Sequence, residues 1–354
     1  MKKKLVALIA GIMLILACFA GCGSGDGDGG DAASGEKETW KLAHTESEDT
    51  MYDMWANHFA ELVNEKSGGR ITVEVYPVGQ LGDSEAQLEM IQTGGIDIGI
   101  FASGDVGSTF PAAQALSLNF LFSDDDAVNN AVLTKGEATA KLSEMFEEKN
   151  IHVYDWMSLG NMQWTSNKPL TTLDDFKGFK MRIMASPLIA RNYEVLGASP
   201  TNVAFMETYS ALQLKTVEGT EQPLNAIEEM KFYEVQDYIT MSNHAQMASF
   251  VAFNGDFYNS LSDEDKEILD SIKEEMEGFA ADSLEQVLQE KFDTILEKKP
   301  EIQVIELTEE QRQAFVDASM AVRDEIEKYA GEEGREIMEL VIKDVEKYEK
   351  ELKG

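Results

Sequence analysis

The 354-residue chain carries 65 acidic against 30 basic side chains, a formal charge of −35, and such a surface repels nucleic acid and anionic lipid headgroups. Its two cysteines, Cys18 and Cys22, both lie near the N-terminus, which excludes disulfides, thiolate metal sites and cysteine nucleophiles from the rest of the chain. The length suggests two domains.

Lys2, Lys3 and Lys4 head an apolar run from Leu5 to Ala20, which is too short for a membrane span and suits the core of a secretory signal. The run ends at Phe19-Ala20-Gly21-Cys22. Small residues before a cysteine are what a lipoprotein signal peptidase needs, and bulky Leu16 disfavours Cys18. Residues 1–21 therefore read as a lipoprotein signal peptide with Cys22 lipidated. The protein is expected to be exported and anchored to the outer face of the cytoplasmic membrane, or held in the periplasm. One acyl chain binds a membrane only marginally, so a stable anchor implies several on this cysteine. Loss of the three lysines leaves 27 basic against 65 acidic groups, a mature charge of −38. Residues 22–38 are mostly Gly, Asp, Ser and Ala and read as a flexible linker. Asp26, Asp28 and Asp31 are not read as a calcium loop, because Lys37 stands where the closing glutamate belongs.

Trp40 to Ala43 predicts a strand. Met51, Trp55, Phe59 and Leu62 recur at helical spacing until Ser67-Gly68-Gly69 stops the helix. Ile71, Val73 and Val75 alternate in a second strand. A helix opened by Asp83 or Ser84 follows, then a continuous apolar run from Ile96 to Phe101 around Asp97, as expected of a buried parallel strand. This order implies right-handed crossovers and a sheet covered on both faces. A second such unit begins near Ile151, with strands at 153–156, 162–166 and 180–184, helices at 188–196 and 207–214, and a returning strand at 248–253. From Ser262 the pattern is helical and acidic to about Lys298, then a short strand at 301–307 precedes a mostly helical end. Its charge density reads as solvated helix faces.

None of the common catalytic patterns occurs. His44, His58, His152 and His244 do not make a zinc-hydrolase pair, and no nucleophile elbow, phosphate loop or dinucleotide fingerprint is present. No catalytic residue, metal or cofactor is expected. Asp124-Asp125-Asp126 reads as a loop and helix cap.

Several stretches in this order carry a resemblance. They are Gly79-Gln80-Leu81-Gly82, Gly95-Ile96-Asp97, Thr165-Ser166-Asn167-Lys168-Pro169-Leu170, Asp175-Phe176-Lys177-Gly178-Phe179-Lys180-Met181-Arg182, Gly197-Ala198-Ser199-Pro200, Tyr209-Ser210-Ala211-Leu212-Gln213, Val217-Glu218-Gly219-Thr220-Glu221-Gln222-Pro223 and Asn243-His244. With them the chain resembles the dicarboxylate-type solute-binding proteins of tripartite ATP-independent periplasmic (TRAP) transporters, from about Trp40 to Leu307. The resemblance implies an α/β, two-lobed periplasmic-binding-protein-like fold of type II, with hinge strands and a long lobe-spanning helix. It places residues 39–159 and 248–287 in lobe I, and 160–247 and 288–354 in lobe II. It implies capture of a small organic acid in the cleft by hinge closure, and delivery to the TRAP permease membrane subunits.

Arg182 lies between Met181 and Ile183 in an alternating strand. By pattern alone it fits a solvated strand face. By resemblance it is the cleft residue that clamps a ligand carboxylate, a task suited to a planar, always charged guanidinium. The same resemblance suggests Gln222 as a hydrogen-bonding partner, Phe205 as a cleft wall, and Phe101 and Ser103 at the end of a strand pointing into the cleft. His44 or Thr45 ends the first strand, where open α/β sheets line their openings. Met162 stands where sialic-acid-binding members have a second arginine, and Ala102 where an acidic residue ends the third strand. Both disfavour sialic acid, weaken the case for a dicarboxylate, and suit a monocarboxylate with an apolar or sugar-like body. A binding lipoprotein of an ATP-driven importer, or a sensor, would share these lobes. A secreted lipoprotein enzyme would need a reactive cluster that is not visible.

Overall fold

In the computed structural model, which describes residues 37–353, the alternating segments of the first third pair as parallel strands. Strand β1 (Glu38–His44) lies between β2 (Ile71–Tyr76) and β3 (Ile98–Ala102), parallel to both. The crossovers are α1 (Met51–Lys66) and α2 (Ser84–Thr93). Thr50 caps α1 by accepting from the Asp53 amide, and Asp83 caps α2 by accepting from that of Ala86. The readings on residues 1–36, including the signal peptide and Cys22, lie outside the described residues.

Two helices, α3 (Asp126–Lys135) and α4 (Glu137–Glu147), precede β4 (Ile151–Asn161). After a single residue, Met162, the chain enters a second sheet at β5 (Gln163–Ser166). This sheet continues through the short helix α5 (Leu173–Phe176), β6 (Lys180–Ile183), α6 (Pro187–Leu196), β7 (Ser199–Asn202), α7 (Thr208–Gln213), β8 (Gly219–Gln222), α8 (Leu224–Glu229) and β9 (Tyr238–Met241). The chain then returns to the first sheet as β10 (Gln246–Asn254), antiparallel to both β3 and β4. The first sheet has the order β2-β1-β3-β10-β4. The second is β11-β9-β5-β8-β6-β7, with β11 (Gln303–Glu306) parallel to β9 on its edge.

Each sheet anchors its own lobe. In the first, Trp40, Trp55, Phe59 and Phe253 pack on one face, and Phe101, Phe146 and Phe250 on the other. In the second, Trp164, Phe176, Tyr193 and Phe315 form one cluster, and Ile227, Phe232 and Ile239 another. After α9 (Gly255–Ser260) comes α10 (Asp263–Lys298), 36 residues capped by Ser262. At ~1.5 Å per residue it is about 54 Å long. Its Leu269, Ile272 and Met276 pack in the first lobe and its Ile295 in the second, so one rigid element spans both.

The chain end departs from expectation. Residues 288–354 were expected in lobe II, and α11 (Glu309–Asp324) does place Phe315 against Trp164 there. The last helix, α12 (Ile326–Lys353), instead packs on the first lobe. The cause is a stripe of Ile326, Ala330, Ile337, Met338, Val341 and Tyr348, which buries in the same cluster as Val128, Val132 and Phe146. Asp344 accepts the Ala138 amide at 3.0 Å, supplying the capping carboxylate that Gly136 cannot give α4. Gly331, at φ 75°, kinks α12 in a conformation that favours glycine.

Candidate functional site

Alternation along β6 sends Met181 and Ile183 into the second lobe's core and leaves Arg182 aimed the other way. The side chain is only 2% exposed, so it is not a solvated strand face. Its Nε donates to the Val203 carbonyl at 2.9 Å, and the guanidinium carbon lies 6.0 Å from the Phe205 ring centre. Its Nη1 is buried without a hydrogen-bond partner. Burial pulls its pKa down, and the charges of Asp105 and Glu221 oppose that fall.

Arg182 opens on a cavity of about 520 Å³ between the lobes, within the range of small-molecule sites. The first lobe contributes Thr45, Glu46, Tyr52, Ser84, Ala102 and Asp105. The second contributes Arg182, Met184, Asn202, Phe205 and Gln222. Four residues expected at the cleft thus meet here: Arg182, Gln222, Phe205 and Thr45.

The other four do not line this cavity. Met162 and Ser103 border a separate void of about 10 Å³, beside Glu221, about the space of one water molecule. The Phe101 ring packs 5.7 Å from that of Phe250 in the first lobe's core, because alternation turns it away and leaves Ala102 at the cavity. His44 is fully buried, with Nε2 3.3 Å from Asp53 Oδ1 on α1, and burial lowers its pKa. Thr45, one residue on, takes the cleft position instead.

Two carboxyl groups went unrecognised in the sequence. Glu46 follows β1, and burial raises its pKa to about 7, with hydrogen bonds from Thr50 and the Tyr52 amide opposing and Asp105 adding to the rise. Its Oε2 is buried and unpartnered. Asp105 follows β3; burial raises its pKa, the Arg182 charge opposes this, and Ser84 donates to Oδ2 at 3.2 Å. The only signal for either was position just past a strand end.

Behind the cavity lies a buried network. Trp164 Nε1 donates to the Tyr193 hydroxyl at 3.0 Å, which donates to Glu221 Oε2 at 2.6 Å; His244 Nε2 is 2.9 Å from the same oxygen. Glu221 precedes Gln222, so these bonds fix the strand that presents the amide. Among the described residues no group of His, Cys, Asp and Glu is arranged to hold a metal ion, and no helix is long and apolar enough to cross a membrane.

The profile of the family described as bacterial extracellular solute-binding protein, family 7, matches residues 42–329. The ectoine-binding periplasmic protein TeaA of Halomonas elongata is 29% identical over 329 residues, covering 92% of this chain and 95% of that protein. The C4-dicarboxylate-binding protein DctB of Bacillus subtilis is 31% identical over 303 residues, covering 85% and 86%. Among solved structures, the periplasmic ectoine-binding protein of the TeaABC TRAP-transporter of Halomonas elongata superimposes with a TM-score of 0.84 at 28% identity, covering 87% of this chain and 99% of that one.

Proposed function

The chain belongs to the DctP family, the family-7 extracellular solute-binding proteins of TRAP transporters, which bind solutes without catalysis; from this we propose that it captures a small organic carboxylate between its lobes and delivers it to the TRAP permease. One observation carries the ligand class: a guanidinium, 2% exposed and with a free Nη1, beside a cavity of about 520 Å³. An unpaired buried donor is costly, and a carboxylate repays that cost with parallel charge-assisted hydrogen bonds.

The rest of the lining narrows the class. Across from the single cation stand Glu46 and Asp105. A dicarboxylate would bring its second charge against them. A monocarboxylate whose far end carries a positive or hydrogen-bond-donating group meets both walls, with its body against Phe205 and Met184. Relatives of the chain include an ectoine-binding protein as well as a dicarboxylate-binding one.

A thermal-shift panel tests the ranking, because a ligand that binds only the folded state raises Tm. Zwitterionic carboxylates are expected to raise Tm more than C4 dicarboxylates or sugar acids at equal concentration. A dicarboxylate at the head of the panel overturns the ligand class. Mass spectrometry of solute carried through purification gives an independent answer. Anchoring is supported by the signal sequence ending at Cys22. Cys22→Ser is expected to shift the protein from the membrane fraction to the soluble one; unchanged fractionation argues against lipidation.

A further inference from the structure

One buried amide joins the segments that form the two walls of the cavity, without lining the cavity itself. Gln114 lies in the 3₁₀ helix Pro111–Ser117 of the first lobe and is 2% exposed. Its Oε1 accepts from the Ser186 hydroxyl at 2.7 Å and from the Leu188 amide at 3.2 Å. Its Nε2 donates to the Gly107 carbonyl at 3.3 Å and to the Tyr329 carbonyl at 3.2 Å. These four bonds use both acceptor and both donor places of a carboxamide. Two of the partners stand next to the cavity lining. Gly107 lies between Asp105 and Ser108, which line the first-lobe wall. Ser186 caps α6 directly after Met184 and Ala185, which line the second-lobe wall. Helix α6 itself starts on the lobe boundary, since Leu188 packs in the first lobe's cluster and Ile189 in the second's.

We infer that Gln114 is a positioning residue for solute capture, whose amide fixes the separation between the first-lobe segment bearing Asp105 and the second-lobe segment that follows Arg182. This rests on the reading that the solute is held between the lobes. The Leu188 amide can only donate and the two carbonyls can only accept, so the carboxamide has a single orientation. A glutamate of the same shape turns an anionic oxygen on two carbonyls. A hydrocarbon leaves four polar groups without their partner, each at a cost where it is buried. Gly107 is matched to this side chain. A Cβ added there would lie 2.5 Å from Gln114 Cγ and 2.8 Å from its Cδ, so the bare backbone is what admits the amide. The φ of Gly107 is outside the left-handed region, so close approach and not backbone conformation calls for glycine.

Double electron–electron resonance on the solute-free chain reads the separation directly. Cys18→Ser and Cys22→Ser remove the native cysteines. Spin labels are placed on Glu61→Cys in α1 and Ser210→Cys in α7, exposed positions on the first and second lobes. With Gln114 intact the distance distribution is expected to be narrow. Gln114→Leu and Gln114→Glu are each expected to broaden it. Gly107→Ala keeps Gln114 but displaces its side chain, and is expected to broaden it as well. A distribution as broad with Gln114 as without it overturns the inference. A lower Tm with an unchanged distribution assigns Gln114 to fold stability alone and also overturns it. Should the Gln114 variants not fold, Gly107→Ala decides in the same way. No solute enters this measurement, whereas the carboxylate reading fails in the thermal-shift panel, so the two failures are distinguishable.

Discussion

Arg182→Ala is expected to weaken carboxylate capture by roughly 3–5 kcal/mol, the scale for removing one partner of a desolvated charge pair. The side chain is almost wholly withdrawn from bulk solvent, being 2% exposed. Within the protein its charge is balanced at a distance by Asp105 and Glu221. Truncation therefore also leaves those carboxyls without their cation. Arg182→Lys separates the two effects. It keeps a positive charge but loses the fork geometry and the Nε bond to Val203, so it is expected to recover only part of the affinity. Isothermal titration with the best solute from the panel checks both. Wild-type affinity in Arg182→Ala would sink the clamp.

Trp164→Ala is expected to cost about 3–5 kcal/mol of unfolding free energy, the range for truncating a buried Trp or Phe. The indole is fully buried, with Phe176, Phe315 and His244 at ring-centre distances of 4.8, 5.0 and 4.8 Å. It holds the second sheet to α11 and donates to Tyr193. Its loss opens a cavity and loosens the chain of bonds through Glu221 to the strand bearing Gln222. Trp164→Phe fills most of the volume and is expected to cost less, with the remaining deficit falling on the Tyr193 hydroxyl. Urea unfolding followed by circular dichroism measures both. A loss below about 1 kcal/mol in Trp164→Ala would mean that the site repacks freely.

Much of the fold was legible because its strands and helices have clean periods. Alternation at Ile71, Val73 and Val75, and the unbroken apolar run ending at Phe101, gave parallel strands within a few residues of where they lie. Register at strand ends was harder to read. Whether His44 or Thr45, Phe101 or Ala102, faces the cleft depends on a one-residue phase that only the packed sheet fixes. Arg182 stood out because it is a rare residue flanked by apolar ones. Glu46 and Asp105 did not, because two cavity-lining carboxyls do not stand out among 65 acidic side chains. The last helix was assigned to the wrong lobe for a related reason. Its charge density reads as solvated faces, and the apolar stripe between them does not name its partner.

That placement of α12 makes the two halves unequal, since the last helix adds to one of them only. Strand β1 and helix α12 belong to the same half, the one holding Glu46 and Asp105. Arg182 and Gln222 stand on the other half, joined to the first through β4, β10 and α10, so a solute that bridges Arg182 and Asp105 would tie the lighter half to the heavier one.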